Sequence, residues 1–337
     1  MTAPTPLPSR RPARSALVLA VLAVAALVAA ACSGTGDTEV AAGGDAPAAT
    51  TAPSTTSGPA VPEGGYDVVV HTETLVDTAR PTPGLPDTGV PASNDRTLVT
   101  TFTYPDVPGP FPLIAFAHGH YGHPRKFTQL FEEWAAAGFV VAAPAFPLSN
   151  DEVPGAASVF DLPEQPGDLS FVISESLRLS GEDDRFLTGR VDPEAIGVGG
   201  LSLGGATTYL TAFDECCLDE RVDAAMVLDG LRPDAEGLQL DRGIPLLIVH
   251  ADADPVVSYS YAQEAFAAAA TPKYLVTLHE DVHSSPFEDD PDPADQVVLD
   301  TTTAFWRHHL AGDETPAAEL QADAGVPGLT TVVARPG

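Results

Sequence analysis

The sequence predicts an α/β fold built on a mostly parallel central sheet with helices on both faces. From residue 113 onward, short apolar runs typical of strands alternate with longer segments typical of helices. Strands covered on both faces are apolar throughout, as the run at 113–117 is. The hydrophobic fraction of 44% permits a large core, and α/β proteins of about 250 residues commonly form one domain.

The predicted elements follow one another in a regular order. Residues 66–71 and 96–104 are enriched in β-branched residues, and we expect them to pair as two strands at one edge of the sheet. The other strands are predicted at 113–117, 139–143, 195–199, 224–228, 246–249 and 275–278. The helices are predicted at 127–137, 166–179, 203–213, 258–270 and 295–310. The first two have apolar residues at helical spacing, and the fourth is rich in alanine.

The N-terminus is typical of an export signal. Arg10, Arg11 and Arg14 precede an uncharged apolar run at 16–31 that is somewhat short for a transmembrane helix. Small residues come directly before Cys32, and this order resembles a bacterial lipoprotein cleavage site, in which the cysteine becomes the lipidated first residue. Residues 1–31 are therefore predicted to be a signal peptide of lipoprotein type. Ordinary secretion, with cleavage near Ala31, is the alternative.

The rest of the chain divides into three segments. Residues 32–65 consist mainly of Gly, Ala, Pro, Ser and Thr, which cannot bury enough surface to fold, so we predict a flexible tether. Residues 66–312 form the predicted domain, and 313–337 a C-terminal tail. No internal repeat is visible in the sequence.

The charge of the chain limits its partners. There are 16 basic against 47 acidic residues, and removal of the three leader arginines leaves 13 against 47, a net charge of about −34. Such a chain is expected to repel nucleic acid and anionic membranes, because the affinity for polyphosphate comes from Lys and Arg. We therefore expect contact with a membrane only through a lipid on Cys32. Of the other cysteines, Cys216 and Cys217 form either a vicinal disulfide or two buried thiols.

A candidate nucleophile lies between the strand predicted at 195–199 and the helix predicted at 203–213. The segment Gly200-Leu201-Ser202-Leu203-Gly204 has the form G-x-S-x-G. Glycines on both sides permit a sharp turn that holds the serine in a strained conformation, with its Oγ exposed above the sheet. This context predicts that Ser202 is a catalytic nucleophile.

A serine hydroxyl is a weak nucleophile at neutral pH and needs a general base. The histidines after Ser202 are His250, His279, His283, His308 and His309. His283 is the preferred base, because it lies in a short polar loop after the last predicted strand, from which a side chain can reach over the sheet edge. His279 is the alternative, and His308 and His309 lie on the final helix.

The base needs an acid to orient it, and an oxyanion needs two donors. Asp254 is the preferred acid because it lies in the loop just past the strand at 246–249, whereas Asp252 is expected to form the turn. Asp229, at the end of the preceding strand, is the alternative acid. For the oxyanion we predict the backbone N–H groups of Leu203 and of His120, with that of Tyr121 as the alternative to His120.

Taken in order, these features resemble the α/β-hydrolase superfamily. They are His118-Gly119 after a strand, the G-x-S-x-G around Ser202, the run His-Ala-Asp-Ala-Asp-Pro-Val ending at Val256, and His283 near the end. The resemblance covers about residues 66–312. It is greatest to the branch of cutinase-like polyester hydrolases, dienelactone hydrolases and platelet-activating factor acetylhydrolases.

This resemblance implies the α/β-hydrolase fold and cleavage of carboxylic esters through an acyl-enzyme on Ser202, without a metal or organic cofactor. Water activated by His283 would then hydrolyse the acyl-enzyme. Residues 147–167 are too few for a large lid, so we expect an open site. Many relatives have glycine where Ala251 stands, so the segment that carries Asp254, the preferred acid, departs from their pattern.

Three other functions remain open at the level of the sequence. The same catalytic residues serve peptidases and amidases. His118, His120 and His123 have the spacing of a zinc-binding H-x-H-x-D-H motif, although Gly122 replaces its aspartate and the downstream ligands are not evident. The third possibility is a non-catalytic surface-binding lipoprotein that has kept the fold.

Overall fold

The computed structural model describes residues 60–313 and 324–336, which contain nine strands and five α-helices. The strands are β1 (Val68–Asp77), β2 (Arg96–Pro105), β3 (Phe111–Ala117), β4 (Val140–Ala145), β5 (Val191–Leu201), β6 (Ala224–Leu228), β7 (Leu246–Ala251), β8 (Lys273–Leu278) and β9 (Thr330–Arg335). The helices are α1 (Thr128–Ala136), α2 (Gln165–Gly181), α3 (Leu203–Phe213), α4 (Tyr259–Ala268) and α5 (Asp295–His309). The predicted α/β class is confirmed.

All nine strands belong to one sheet, in the order β1-β2-β4-β3-β5-β6-β7-β8-β9. The six strands from β3 to β8 are mutually parallel, whereas β2 and β9 run antiparallel to their parallel neighbours. The predicted pairing of the first two strands is confirmed, since β1 pairs antiparallel with β2 at one edge. Because parallel strands end at the same edge, the loops after β3, β5, β6, β7 and β8 meet there.

Helices cover both faces of the sheet. One apolar cluster joins alternate residues of the central strands to α2, α3 and α4. A second cluster joins the intervening strand residues to α1 and α5, with Trp134 and Trp306 fully buried and 5.9 Å apart between ring centroids. Between β4 and α2, residues 146–164 contain one short 3₁₀-helix, Val159–Glu164. Among the described residues, no helix is long and apolar enough to cross a membrane.

One strand was missed by the sequence analysis. Residues 313–337 were predicted to be a tail outside the domain, but Thr330–Arg335 forms β9 and pairs along the whole of β8. Its short, half-exposed Thr/Val pattern gains a partner only because the edge of β8 is free, and a sequence does not reveal free edges. The predicted signal peptide, Cys32 and residues 32–59 of the tether lie outside the described residues. Cys216 and Cys217 form a disulfide.

A buried ion network joins the β1–β2 edge to the start of α2. Arg96 is fully buried, and its Nη2 lies 2.9 Å from Asp161 Oδ1 and 2.6 Å from Asp168 Oδ2. Arg80 adds a second contact to Asp168, at 2.9 Å, and one to Asp77, at 2.7 Å. Two carboxylates of this network are buried completely, so their charge depends on the two guanidinium groups for compensation.

Replacing Arg96 is expected to destabilise the fold strongly. Arg96→Ala leaves Asp161 and Asp168 buried with less compensating charge, and removal of one partner of a buried pair costs about 3–5 kcal/mol. Urea unfolding at pH 7.5 measures this loss in the free energy of unfolding. Arg178→Ala, which removes exposed ion pairs with Glu175 and Glu182, is the control and is expected to cost about 1 kcal/mol or less. Equal losses in the two variants would contradict the assignment.

Candidate active site

The turn between β5 and α3 holds Ser202 in a conformation that favours glycine. Ser202 has φ 58° and ψ −115°, directly before the first residue of α3. Its backbone N–H donates to Leu228 O at 2.9 Å, which attaches the turn to the end of β6. A non-glycine residue with positive φ is strained and persists only where the surrounding structure fixes it. The strain therefore marks Ser202 as a residue whose position is determined by the fold.

The glycines of the G-x-S-x-G segment are required by close backbone contacts. A Cβ atom on Gly200 would lie 2.3 Å from Gly204 O, and one on Gly204 would lie 2.0 Å from Ala117 O. Both distances are far inside van der Waals contact, so neither position accepts a side chain without moving β3 or α3. The absence of side chains at these two positions lets the start of α3 approach the carboxyl end of the sheet.

Ser202, His283 and Asp254 form a continuous hydrogen-bonded chain. The Oγ of Ser202 lies 2.9 Å from Nε2 of His283, and Nδ1 of His283 lies 2.6 Å from Oδ2 of Asp254. With a proton on Nδ1 donated to Asp254, Nε2 is the acceptor for the hydroxyl proton of Ser202. The structure thus brings together the three residues that the sequence analysis preferred, from the loops after β5, β7 and β8.

Asp254 is held by its own loop. Its Oδ1 accepts backbone N–H groups from Val256 at 2.7 Å and Val257 at 2.9 Å, and its side chain is fully buried. Burial by itself lowers the pKa of His283, but the hydrogen bond to Asp254 and the charges of Asp229 and Asp254 outweigh it. The net pKa of His283 is raised above 6.5. The pair therefore favours a protonated imidazole, which is the form a general base reaches during the reaction.

Asp229, the alternative acid, lies beside the chain without joining it. Its Oδ2 is 3.8 Å from Nδ1 of His283, beyond hydrogen-bond distance. Its oxygens instead accept the backbone N–H groups of Ala251 at 2.8 Å and Ser284 at 3.2 Å. Burial raises the pKa of Asp229 to about 7. It therefore connects the ends of β6 and β7 to the residue after His283.

His250, for which the sequence pattern predicted no role, completes this buried group. Its Nε2 donates to Val257 O at 3.1 Å and lies 3.7 Å from Oδ2 of Asp254. Burial lowers its pKa, so the imidazole is uncharged at neutral pH. It fixes the loop that carries Asp254. The position of His250 at the end of β7 was visible in the sequence, but the contact depends on how the loop folds back.

The segments that carry the two predicted oxyanion donors lie next to Ser202. A Cβ on Gly119 would be 3.8 Å from Ser202 Oγ, so the loop that carries His120 passes close to the serine. In the described part of the chain, the backbone N–H groups of His120 and Leu203 donate to no protein acceptor. The N–H of Tyr121 donates to Ser149 O at 2.9 Å. The structure therefore leaves His120 and Leu203 as donors and engages the alternative, Tyr121.

The alternative base and the predicted turn residue bind each other away from Ser202. His279 Nδ1 lies 2.8 Å from Asp252 Oδ2, and its Nε2 lies 2.6 Å from Oγ1 of Thr331 on β9. Asp252 also accepts the backbone N–H of Glu280 at 2.8 Å. This cluster attaches the loop after β8 to the turn after β7 and to the edge strand. Its role is structural.

The three histidines of the zinc-like motif do not form a ligand group. His118 is fully engaged, because its Nδ1 donates to Gly119 O at 2.7 Å and its Nε2 accepts the N–H of Phe146 at 3.0 Å. His123 Nδ1 accepts the N–H of Arg125 at 3.3 Å. His118 instead holds the loop that carries His120 against the end of β4, a role that the sequence pattern did not indicate.

Three potential metal ligands do cluster within the described residues, namely Asp229, His250 and Asp254. All of them already make hydrogen bonds within the protein, to backbone groups and to His283. A cation there would have to displace the contacts that orient His283. The donor set therefore fits a hydrogen-bond cluster rather than a metal centre.

The arrangement has the parts that acyl transfer requires. The hydroxyl of a strained, half-buried serine lies 2.9 Å from a base, and the base is oriented by a buried carboxylate. Two unengaged N–H groups belong to segments next to the serine. The sequence matches no protein-family model, and no curated protein matches it. The chemistry of the site therefore rests on its geometry.

Proposed function

We propose that this protein is an extracytoplasmic serine hydrolase of the α/β-hydrolase fold that cleaves carboxylic esters through an acyl-enzyme on Ser202. The observation that carries the proposal is the hydrogen-bonded chain from Ser202 through His283 to Asp254, with distances of 2.9 and 2.6 Å. Side chains separated by up to 81 positions in the sequence meet there in the geometry of a nucleophile, a base and an orienting acid.

The topology supports the assignment to this fold. The nucleophile follows a central parallel strand, β5, and precedes a helix, while the acid and the base follow β7 and β8 in that order. Serine, acid and histidine along the chain is the order of α/β-hydrolases, and the strained turn of Ser202 corresponds to their nucleophile elbow. The other serine hydrolase folds place these residues in different orders.

The proposed reaction has two halves. His283 Nε2 takes the hydroxyl proton of Ser202 as Oγ attacks the ester carbonyl, and the oxyanion accepts hydrogen bonds from the N–H groups of His120 and Leu203. The imidazolium then gives the proton to the departing alkoxide, which leaves as the alcohol. In the second half, His283 takes a proton from water as it attacks the acyl-enzyme, and the proton returns to Ser202 as the acid is released.

A labelling experiment and a substrate panel test the proposal. We expect a fluorophosphonate to modify Ser202 covalently in the presence of EDTA, and p-nitrophenyl esters of short to medium acyl chains to be cleaved. Activity abolished by EDTA and restored by zinc would overturn the serine mechanism. Exclusive cleavage of peptide amides would place the protein among the amidases, and labelling without turnover of either class would indicate a binding protein.

The activity is expected to decrease as the pH is lowered, because His283 becomes protonated. Only the neutral imidazole accepts a proton, so kcat/KM decreases as the pH falls through the pKa of His283, by tenfold per pH unit well below it. Because that pKa is raised from 6.5, the midpoint is expected above pH 6.5. The profile for p-nitrophenyl acetate, which does not titrate in this range, measures it. A midpoint below pH 6 would contradict the charge environment described here.

We further propose that the protein is held at the outer face of the cell membrane by a lipid on Cys32. The tether would let the domain act several nanometres from the bilayer. Cys32→Ser is expected to shift most of the protein from the membrane to the soluble fraction, as measured by fractionation and detection of the chain. Cys216→Ser, outside the leader, is the control and should leave the distribution unchanged. Release of the wild-type chain into the medium would instead indicate ordinary secretion.

A further inference from the structure

A cavity of about 360 Å³ lies beside His120. Its walls come from residues 85–88 of the β1–β2 connection and from residues 156–160 ahead of α2. Most of its lining side chains are apolar: Leu85, Pro86, Ala156, Ala157, Val159 and Phe160. Small-molecule sites usually have volumes of about 300–1,000 Å³ and a mostly apolar lining, so this cavity is at the small end of that range.

The cavity adjoins one of the two residues that carry a proposed oxyanion donor. His120 lines it directly and carries one of the two N–H groups. Val159 also lines the cavity, and it packs at the edge of the apolar cluster to which Leu203, the residue of the second proposed donor, belongs. An ester whose carbonyl oxygen lies between these donors therefore has the cavity within reach of one of its two chains.

The walls are fixed before any ligand arrives. Val159 begins the short 3₁₀-helix whose Asp161 binds Arg96 at 2.9 Å and accepts the N–H of Leu148 at 3.2 Å. The backbone N–H of Ser158 donates to Leu148 O at 2.6 Å. Thr88, on the opposite wall, packs directly against Gly155. A Cβ atom on Gly155 would lie 2.9 Å from the Cβ atom of Thr88. A preformed cavity loses little conformational entropy when it is filled.

The lining also restricts the charge of the occupant. Asp87 is the one acidic residue that lines the cavity, and no Lys or Arg does. Burial lowers the pKa of His120 to about 4, so its imidazole is uncharged at neutral pH. A carboxylate or phosphate in the cavity would therefore find no cation and would face a chain with a net charge of −31. The exposed ring of Phe160 extends the apolar wall to the surface.

We propose that this cavity binds an uncharged apolar chain of the ester that Ser202 cleaves, on its acyl or its alkoxy side. The proposal rests on the proposed function. At about 30 Å³ for each water-sized group, the cavity of about 360 Å³ holds up to about twelve such groups, so a chain of eight carbons fits inside it. It therefore makes medium-chain, uncharged esters the preferred substrates over both acetates of small alcohols and long-chain lipids.

A filling variant tests the proposal with four esters. Ala157→Phe fills the cavity, and Ala267→Phe, on the exposed face of α4, is the matched control. The acyl arm compares p-nitrophenyl octanoate with p-nitrophenyl acetate, and the alkoxy arm compares octyl acetate with ethyl acetate. We expect Ala157→Phe to lower kcat/KM at least tenfold for the long ester of one arm and less than threefold for its short ester. The affected arm identifies the side of the ester that occupies the cavity.

The outcomes separate this proposal from the proposed function. If acetate cleavage persists and the long-to-short ratio stays within threefold of wild type in both arms, the cavity proposal is overturned and the serine hydrolase stands. If wild type cleaves none of the four esters, the proposed function fails, and calorimetric binding of octyl and ethyl acetate to Ser202→Ala decides the cavity. If Ser202→Ala binds octyl acetate at least tenfold more tightly than ethyl acetate, and adding Ala157→Phe removes this difference, the cavity proposal is supported. Equal binding of the two esters overturns the cavity proposal.

A second variant covers the case in which Ala157→Phe does not fold. Phe160→Ala removes an apolar wall of the cavity and places no additional atoms inside it. Phe160 is already more than half exposed, so the fold does not depend on its side chain. We expect at least a threefold loss of the preference for the long ester. An unchanged preference in Phe160→Ala would overturn the proposal.

Discussion

Ser202→Ala is expected to reduce ester hydrolysis by about four to six orders of magnitude while leaving the fold intact. The nucleophile is lost, and the residual rate comes only from the oxyanion donors and from substrate binding. The substitution also removes no packing contact from the core, because the hydroxyl bonds His283 and belongs to neither apolar cluster. The measurement is kcat/KM for p-nitrophenyl acetate, with circular dichroism and the unfolding midpoint as checks of structure.

Fluorophosphonate labelling provides the control for this variant. Ser174→Ala changes an exposed serine on α2 whose hydroxyl bonds Ser170 and Arg221, outside the site, and is expected to retain both labelling and activity. Ser202→Ala is expected to lose the label completely. An unlabelled wild type, or a Ser202→Ala variant that keeps more than a tenth of the activity, would remove Ser202 from the mechanism.

Asp254→Asn is expected to lower kcat by about 10³–10⁴-fold. An amide at this position presents either its NH₂ group or an uncharged oxygen to Nδ1 of His283, so the productive tautomer and the stabilisation of the imidazolium are both lost. The shape of the side chain is kept, and the backbone N–H groups of Val256 and Val257 still have an oxygen to bind. The loss should therefore appear in kcat rather than in stability or KM.

Two neighbouring aspartates make this test specific. Asp252→Asn affects the contact with His279 near the surface and is expected to stay within twofold of wild type. Asp229→Asn alters a residue that binds backbone groups and touches His283 only at 3.8 Å, so we expect it to keep at least a tenth of the activity. A reversed order, with Asp229→Asn inactive and Asp254→Asn active, would transfer the role of the acid to Asp229.

Much of the fold could be predicted because its signals are local. Apolar runs and sequence patterns placed every strand from β1 to β8 and all five helices, although β1 continues six residues beyond its predicted end and β5 begins four residues before its predicted start. The β1–β2 pairing followed from two adjacent strand patterns before the first helix. By contrast, β9 is a weak pattern at a distance from its partner, and only the free edge of β8 explains why it is a strand.

The candidate site divides in the same way. The glycine spacing around Ser202 is a property of consecutive residues, because the contacts of Gly200 and Gly204 arise within one turn and against the next strand. The sequence therefore determined the nucleophile candidate and the order in which its partners follow. The sequence could rank Asp254 above Asp229 and His283 above His279, but it does not contain the distances between these side chains.

Only the tertiary structure decided those choices, since they depend on loop paths of a few ångströms. Asp254 lies 2.6 Å from His283 and Asp229 lies 3.8 Å away, although both follow neighbouring strands of the same sheet. His279 points toward Asp252 and β9 instead of Ser202. The cavity beside His120 is likewise built from segments some seventy positions apart, whose contact no local pattern encodes. Hydrophobic periodicity fixes which elements form, whereas side-chain geometry across loops is set by packing between distant parts of the chain.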